Sequence, residues 1–253
     1  MSWHVFIVVK DMSLPKEIVP NPLVTSAVEL RFTSDISRDD LLDRVYRHFA
    51  TELPKISEAN SLNDFKVSED NFRHGPEYIL SNDKYSMAFS THMVSFENVN
   101  EYQLWDNYFD FIKRQLSIFS TLGIIGSIQR IGVRYASIFP GIEHPKECLK
   151  VYPTTIVNND NNISEKLMSF TASYFNDKFA TLFLQIYPNV VATRNENSKV
   201  GFMIDIDAFN TEIHEGISDG LFQIIDILHT KEKDFLFKNL LSSDFLKSLN
   251  VTY

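Results

Sequence analysis

The stretch Gln129–Gly141, QRIGVRYASIFPG, decides the fold class. Read as a strand, it places Ile131, Val133 and Tyr135 on one face and Arg130, Gly132, Arg134 and Ala136 on the other. An interior strand with two arginines on one face needs neighbours that answer the charge, so the reading extends outward. Upstream, Leu104, Tyr108, Phe111, Ile112, Gln115, Phe119 and Leu122 recur at helical spacing, with Asn100 as the expected cap and Gly123 where a left-handed residue would end the helix. Before it, EYILSNDKYSMAFSTHMVSFE (Glu77–Glu97) reads as a hairpin turning at Asn82-Asp83. Earlier still, NPLVTSAVELRF (Asn21–Phe32) alternates as a strand, with Val24, Val28, Leu30 and Phe32 opposite Ala27, Glu29 and Arg31. Ser37 followed by Asp40 opens a helix over about Arg38–Thr51 that Pro54 stops.

Downstream, KLMSFTASYF and FATLFLQIYP form a second hairpin across Asn176-Asp177-Lys178. KVGFMIDIDAF (Lys199–Phe209) is a strand with Ile204 and Ile206 on one face and Asp205 and Asp207 on the other. GLFQIIDILHTKEKDFLFKNLL carries Leu221, Ile224, Ile225 and Leu228 at helical spacing, and SDFLKSLN forms a last short turn. Hairpins interrupted by helices of unequal length predict an α+β fold of antiparallel sheets covered by helices rather than a parallel, doubly wound one. The first half reads β-α-β-β-α-β; the second is β-rich with a C-terminal helical segment. The division expected is residues 1–142, a connecting loop 143–165 and a second half 166–253, the two forming one continuous domain or a pair. Their similar order suggests an old duplication.

The chain has 253 residues, 44% hydrophobic and 13% aromatic, which suffices for a large core. Its net charge of −9 is spread evenly: residues 1–126 hold 12 basic and 18 acidic side chains, residues 127–253 hold 12 and 15. An evenly acidic surface repels phosphate backbones and argues against nucleic-acid binding. One cysteine, Cys148, excludes an internal disulfide and a cysteine zinc site; it reads as a free thiol in a loop, which suits a reducing cytoplasm. The apolar run Val5–Val9 lacks a basic flank and is shorter than the ~7–15 residues of a signal core, so it reads as an opening strand. Leu116–Ile128 is interrupted by serines, a threonine and glycines and falls short of the ~20 apolar residues of a membrane span.

NPLVTSAVELRF, RIGVRYASIF, MIDIDAF and IIDILHTKEKDFLFKNLL, in that order from Asn21 to about Leu241, resemble the landmarks of an uncharacterised, sporadically distributed prokaryotic family of about this length. The resemblance implies patchy inheritance of the kind found among genes of mobile or defence islands, and carries no reaction or catalytic residue with it. Thr25 and Ser26 stand where that family places an acidic residue after the opening proline.

Arg130 and Arg134 lie roughly 13 Å apart along one strand face at ~3.3 Å per residue. If the strand bearing Asp205 and Asp207 is its neighbour, two cross-strand Arg–carboxylate pairs form, of which either can be bidentate. The alternatives are a partner-binding surface or a small anion site, for which Gly132 leaves the backbone open to close approach. The seven histidines form no HxH or HExxH, and Asp205-Ile206-Asp207 in a strand reads as salt-bridge partners rather than metal ligands. No GxSxG, Walker loop or GxGxxG is present, and no catalytic residue, metal or cofactor is nominated. The expectation is therefore a soluble, cytoplasmic, non-enzymatic interaction subunit with a protein partner encoded nearby, of accessory, immunity or antitoxin type, with homo-oligomerisation open. The alternative is a small-ligand-binding protein or enzyme whose pocket is lined by Arg130, Arg134, Asp205 and Asp207.

Overall fold

A computed structural model describes residues 14–59, 74–142, 145–150, 171–194 and 197–252. The fold is α+β. The chain runs β1 (Glu17–Ile18), β2 (Leu23–Phe32), α1 (Arg38–Phe49), β3 (Lys55–Glu58), β4 (Tyr78–Ser81), β5 (Tyr85–Ser90), β6 (Met93–Asn98), α2 (Trp105–Ser120), β7 (Ile128–Pro140), α3 (Pro145–Cys148), β8 (Thr171–Asn176), β9 (Thr181–Arg194) and β10 (Asn197–Asn210). It closes with α4 (Asp219–Asp234), a π-helical turn (Phe235–Leu240), α5 (Ser243–Ser248) and β11 (Val251–Thr252), which pairs with β1.

Nine strands build one antiparallel sheet in the order β3-β4-β5-β6-β2-β7-β10-β9-β8. The order mirrors itself about the central pair β2–β7: on each side the leading strand of a half lies innermost, and the last strand before the half's long helix, β6 or β10, packs next to it. The sheet runs without a break across the expected 142/143 boundary, because β7 pairs with β2 on one side and β10 on the other. Of the expected connecting loop, residues 145–150 are described and hold α3, whose Cys148 is buried rather than in a free loop; the rest, like the apolar run Val5–Val9, lies outside the described residues.

Alternation sets which face is dry. Register aligns Phe96, Val28, Val133, Ala208 and Leu182 in one row across five strands, all buried. Helices α1, α2 and α4 cover this face. Tyr108, Phe111, Ile112, Leu116 and Phe119 of α2 are fully buried against it, and the Tyr108 hydroxyl donates to the Phe96 carbonyl. The face opposite carries Ala27, Glu29, Arg31, Arg130, Gly132, Arg134, Asp205 and Asp207.

Local signals act where read. Ser37 Oγ accepts from the Asp40 amide and donates to its carboxylate, capping α1. Asn82 Oδ1 accepts from the amides of Lys84 and Tyr85 and turns β4 into β5. Asp177 does the same between β8 and β9. Gly123 has φ +63 beyond the end of α2. Two readings differ. The expected hairpin Glu77–Glu97 is a three-stranded meander, reversing again between Ser90 and Met93, a turn with no Gly, Pro or Asn to announce it; Ser90 Oγ accepts the His92 amide there. Helix α2 starts at Trp105 rather than after Asn100, because Asn98 Oδ1 takes the Gln103 amide and Leu104 has φ +61, holding the entry non-helical.

Candidate functional site

Strands β7 and β10 lie side by side with Asp207 opposite Arg134 and Asp205 opposite Ala136. The Arg134 guanidinium reaches diagonally to grip Asp205 with two bonds, Nε to Oδ1 at 2.9 Å and Nη2 to Oδ2 at 2.6 Å. Arg130 bridges strands on both sides, Nη1 to Glu29 at 2.8 Å and Nη2 to Asp207 at 2.6 Å. Glu29 Oε1 also accepts from Arg31 Nε at 2.7 Å, so one oxygen reconciles two guanidiniums that stand directly opposite in register. Burial holds the Asp207 carboxyl above its ordinary range, and its bonds to Asp205 raise Arg134 further. Gly132 is not an open approach: a Cβ there would meet Arg130 Nη1 at 2.5 Å, so the guanidinium already lies over the glycine. The array joins β2, β7 and β10 through ion pairs made within the protein, with the Arg134 side chain half exposed. Neither of the two cavities below is lined by Arg130, Gly132, Arg134, Asp205 or Asp207.

On the other face, where the long helices of the two halves approach the end of β7, a cavity of about 330 Å³ opens. Its floor is Tyr135 and Ser137 of β7. Its walls are Trp105 at the start of α2 and His229, Glu232 and Lys233 near the end of α4, and Leu23 and Phe237 close its apolar side. Trp105 is pinned: its indole Nε1 donates to Asp226 Oδ1 at 2.7 Å, and its ring stacks on the His229 imidazole with centroids 3.9 Å apart. The Tyr102 and Tyr135 hydroxyls meet at 3.3 Å. Two backbone irregularities border this space, the positive φ of Leu104 and the π-helical turn that places Leu236 and Phe237.

Glu232 and His229, one turn apart on α4, are only 4% and 8% exposed. Among the described residues the Glu232 carboxyl has no hydrogen-bond or ion-pair partner, and His229 Nδ1 is buried with none. Burial pushes Glu232 up to about 8 and His229 down to about 3. At neutral pH the cavity wall thus holds a carboxylic acid, able to donate and accept, beside an uncharged imidazole. Buried polar groups are normally satisfied, and two in one cavity wall call for an explanation. Sequence reasoning missed this pair. In the sequence His229 is one of seven histidines without metal spacing, and Glu232 lies within the charged run HTKEKD. The available signal was spacing, since Leu221, Ile225, Leu228 and Glu232 continue one buried stripe.

A second cavity of about 490 Å³ lies between the start of α1 and the end of α2, lined by Asp35, Ser37, Asp40 and Arg44. Arg44 donates there to the Leu122 carbonyl at 2.9 Å, and no buried polar side-chain atom of its lining lacks a partner. Among the described residues no group of three His, Cys, Asp or Glu gathers to hold a metal ion, and no helix is long and apolar enough to cross a membrane.

Fold and cavity together define an α+β protein whose two mirrored half-sheets meet over a buried acid. No family model and no curated protein matches the chain.

Proposed function

We propose that the chain is a binding module for a small molecule, held in the cavity between α2, α4 and β7. The single observation that carries the reading is the pair Glu232 and His229, two polar groups more than nine-tenths buried, in the wall of one cavity, with no hydrogen-bond partner among the described residues for the Glu232 carboxyl or His229 Nδ1. Ligand pockets are mostly apolar with a few polar groups that fix orientation, and 330 Å³ lies at the small end of their ~300–1,000 Å³ range. The reading is placed here rather than at Arg130, Arg134, Asp205 and Asp207, which pair with one another or with Glu29 and line neither cavity. Position supports a sensing role: the cavity touches elements of both halves, so occupancy would favour one packing of α4 against α2. The test is thermal stabilisation by a small-molecule set of mixed charge, compared with Leu23→Trp, which fills the cavity. Compounds that stabilise the native chain and not the variant are expected; equal shifts in both, or none in either, would overturn the reading.

A second reading, a subunit that docks a protein partner encoded nearby in a mobile or defence locus, is favoured by one feature. Val191 and Val200 form a cross-strand pair, 61% and 53% exposed, near the tip of the β9–β10 hairpin. Recovery of a stoichiometric partner that Val200→Lys releases supports it; a chain that stays monomeric in extracts speaks against it.

A further inference from the structure

The chemistry of the cavity narrows what it can hold, granted that it is a ligand site. Glu232, His229 and Lys233 line one wall and none of them makes an ion pair among the described residues. Lys233 is thus a cation without an ion pair among the described residues, and what it offers a charged ligand depends on the other charges of the lining. The remaining lining charges balance, Lys16 and Lys233 against Glu17 and Asp106. An anion would meet Lys16 and Lys233, but also the carboxylates of Glu17 and Asp106 that offset them, so the lining offers it no net attraction. A cation would meet the surroundings that deny His229 its own proton. A protonated carboxyl offers one donor and one acceptor side by side, and the edge that complements it is an acceptor beside a donor. Leu23, Leu104, Leu236 and Phe237 supply apolar contact around that edge.

We propose that the cavity takes a small, neutral, planar molecule bearing an amide-like edge, as in a lactam, a carboxamide or an amino-heterocycle, which pairs with the Glu232 carboxyl through two hydrogen bonds. The titratable groups that line the cavity with this carboxyl are His229 and Lys233 on its own helix, Tyr135 on β7, Tyr102 and Asp106 at the entry of α2, and Lys16 and Glu17 ahead of β2, while Asp205 acts on it electrostatically from the other face of the sheet. The donor is lost when Glu232 ionises, so binding holds below about pH 8 and weakens as pH rises through that value.

Four probes of similar size test this by calorimetry on the full chain: 2-pyridone and benzamide (neutral, amide edge), benzamidine (cation) and benzoate (anion). At pH 7 the two neutral probes are expected to bind at least about tenfold more tightly than either charged one. Their affinity should fall about tenfold between pH 7 and pH 9, the loss of protonated fraction for a group titrating at about 8. Glu232→Gln, which keeps a donor beside an acceptor and every facing group, should retain binding and lose the pH dependence; Glu232→Leu should lose binding while remaining folded by circular dichroism. Tighter binding of benzamidine or benzoate, or pH-independent binding of 2-pyridone to the native chain, overturns the ligand class and leaves the cavity a ligand site. If none of the four binds while other compounds stabilise the native chain and not Leu23→Trp, this inference falls and the binding-module reading stands; if no compound does so, both fall.

Discussion

Replacing Glu232 by glutamine isolates the cost of the buried acid. A carboxyl that moves from 4.5 in the unfolded chain to about 8 in the folded one binds its proton more tightly when folded. Stability therefore falls as pH climbs through that window and levels off above it. At 1.36 kcal/mol per pH unit the loss is about 1 kcal/mol at pH 5, about 3 at pH 7 and about 4–5 at pH 9. Glutamine has nearly the same shape and no proton to lose, so it should be close to neutral at pH 5 and stabilising by several kcal/mol at pH 9. His229 acts in the opposite direction, its burial costing stability as pH falls from 6.5 towards about 3, but it is common to both proteins and cancels in the difference. Urea unfolding of the two proteins at pH 5, 7 and 9 reads that difference directly. A difference that stays flat across pH, or a variant less stable at every pH, would refute the placement of an ionisable Glu232 in a buried wall.

The charge array gives a second prediction. Arg134→Ala strands Asp205, whose side chain is 3% exposed, and should cost about 2–4 kcal/mol, the half-exposed arginine placing it below a fully buried pair; Arg134→Met with Asp205→Leu should recover most of that in the same denaturation assay, and no recovery would show that the pair does more than satisfy itself. Gly132→Ala must displace the Arg130 guanidinium from Glu29 and Asp207 and should cost about 1–3 kcal/mol, whereas with Arg130→Ala already present the further cost should be near zero. Ser37→Ala removes the cap of α1 and should lower stability by about 1 kcal/mol without changing the unfolding slope.

The sheet was legible where alternation is strict. Asn21–Phe32, Gln129–Gly141 and Lys199–Phe209 each separate an apolar face from a polar one, and two charged faces of opposite sign already suggested that β7 and β10 are neighbours. The shared role of Glu29 was not legible, because strand order places β2 beside β7 across about a hundred residues of chain. The turn at Thr91-His92 escaped notice because its geometry is imposed by pairing of β5 with β6 rather than by turn residues. The cavity was the least legible feature. Its wall draws on residues near positions 20, 104, 136 and 232, brought together only by the mirrored packing of α2 and α4 on the central strands. An acid at the end of an amphipathic stripe looks like an ordinary surface charge until another half of the molecule covers it.

Trp105 reports on the cavity most directly, since its indole is fixed between Asp226 and His229 in the wall. Titration of the ¹⁵N-labelled protein with 2-pyridone at pH 7, followed at the Trp105 indole resonance, should produce a saturable shift that Leu23→Trp abolishes. An indole resonance that does not move at saturating probe, while other resonances do, would place the binding elsewhere and contradict the account.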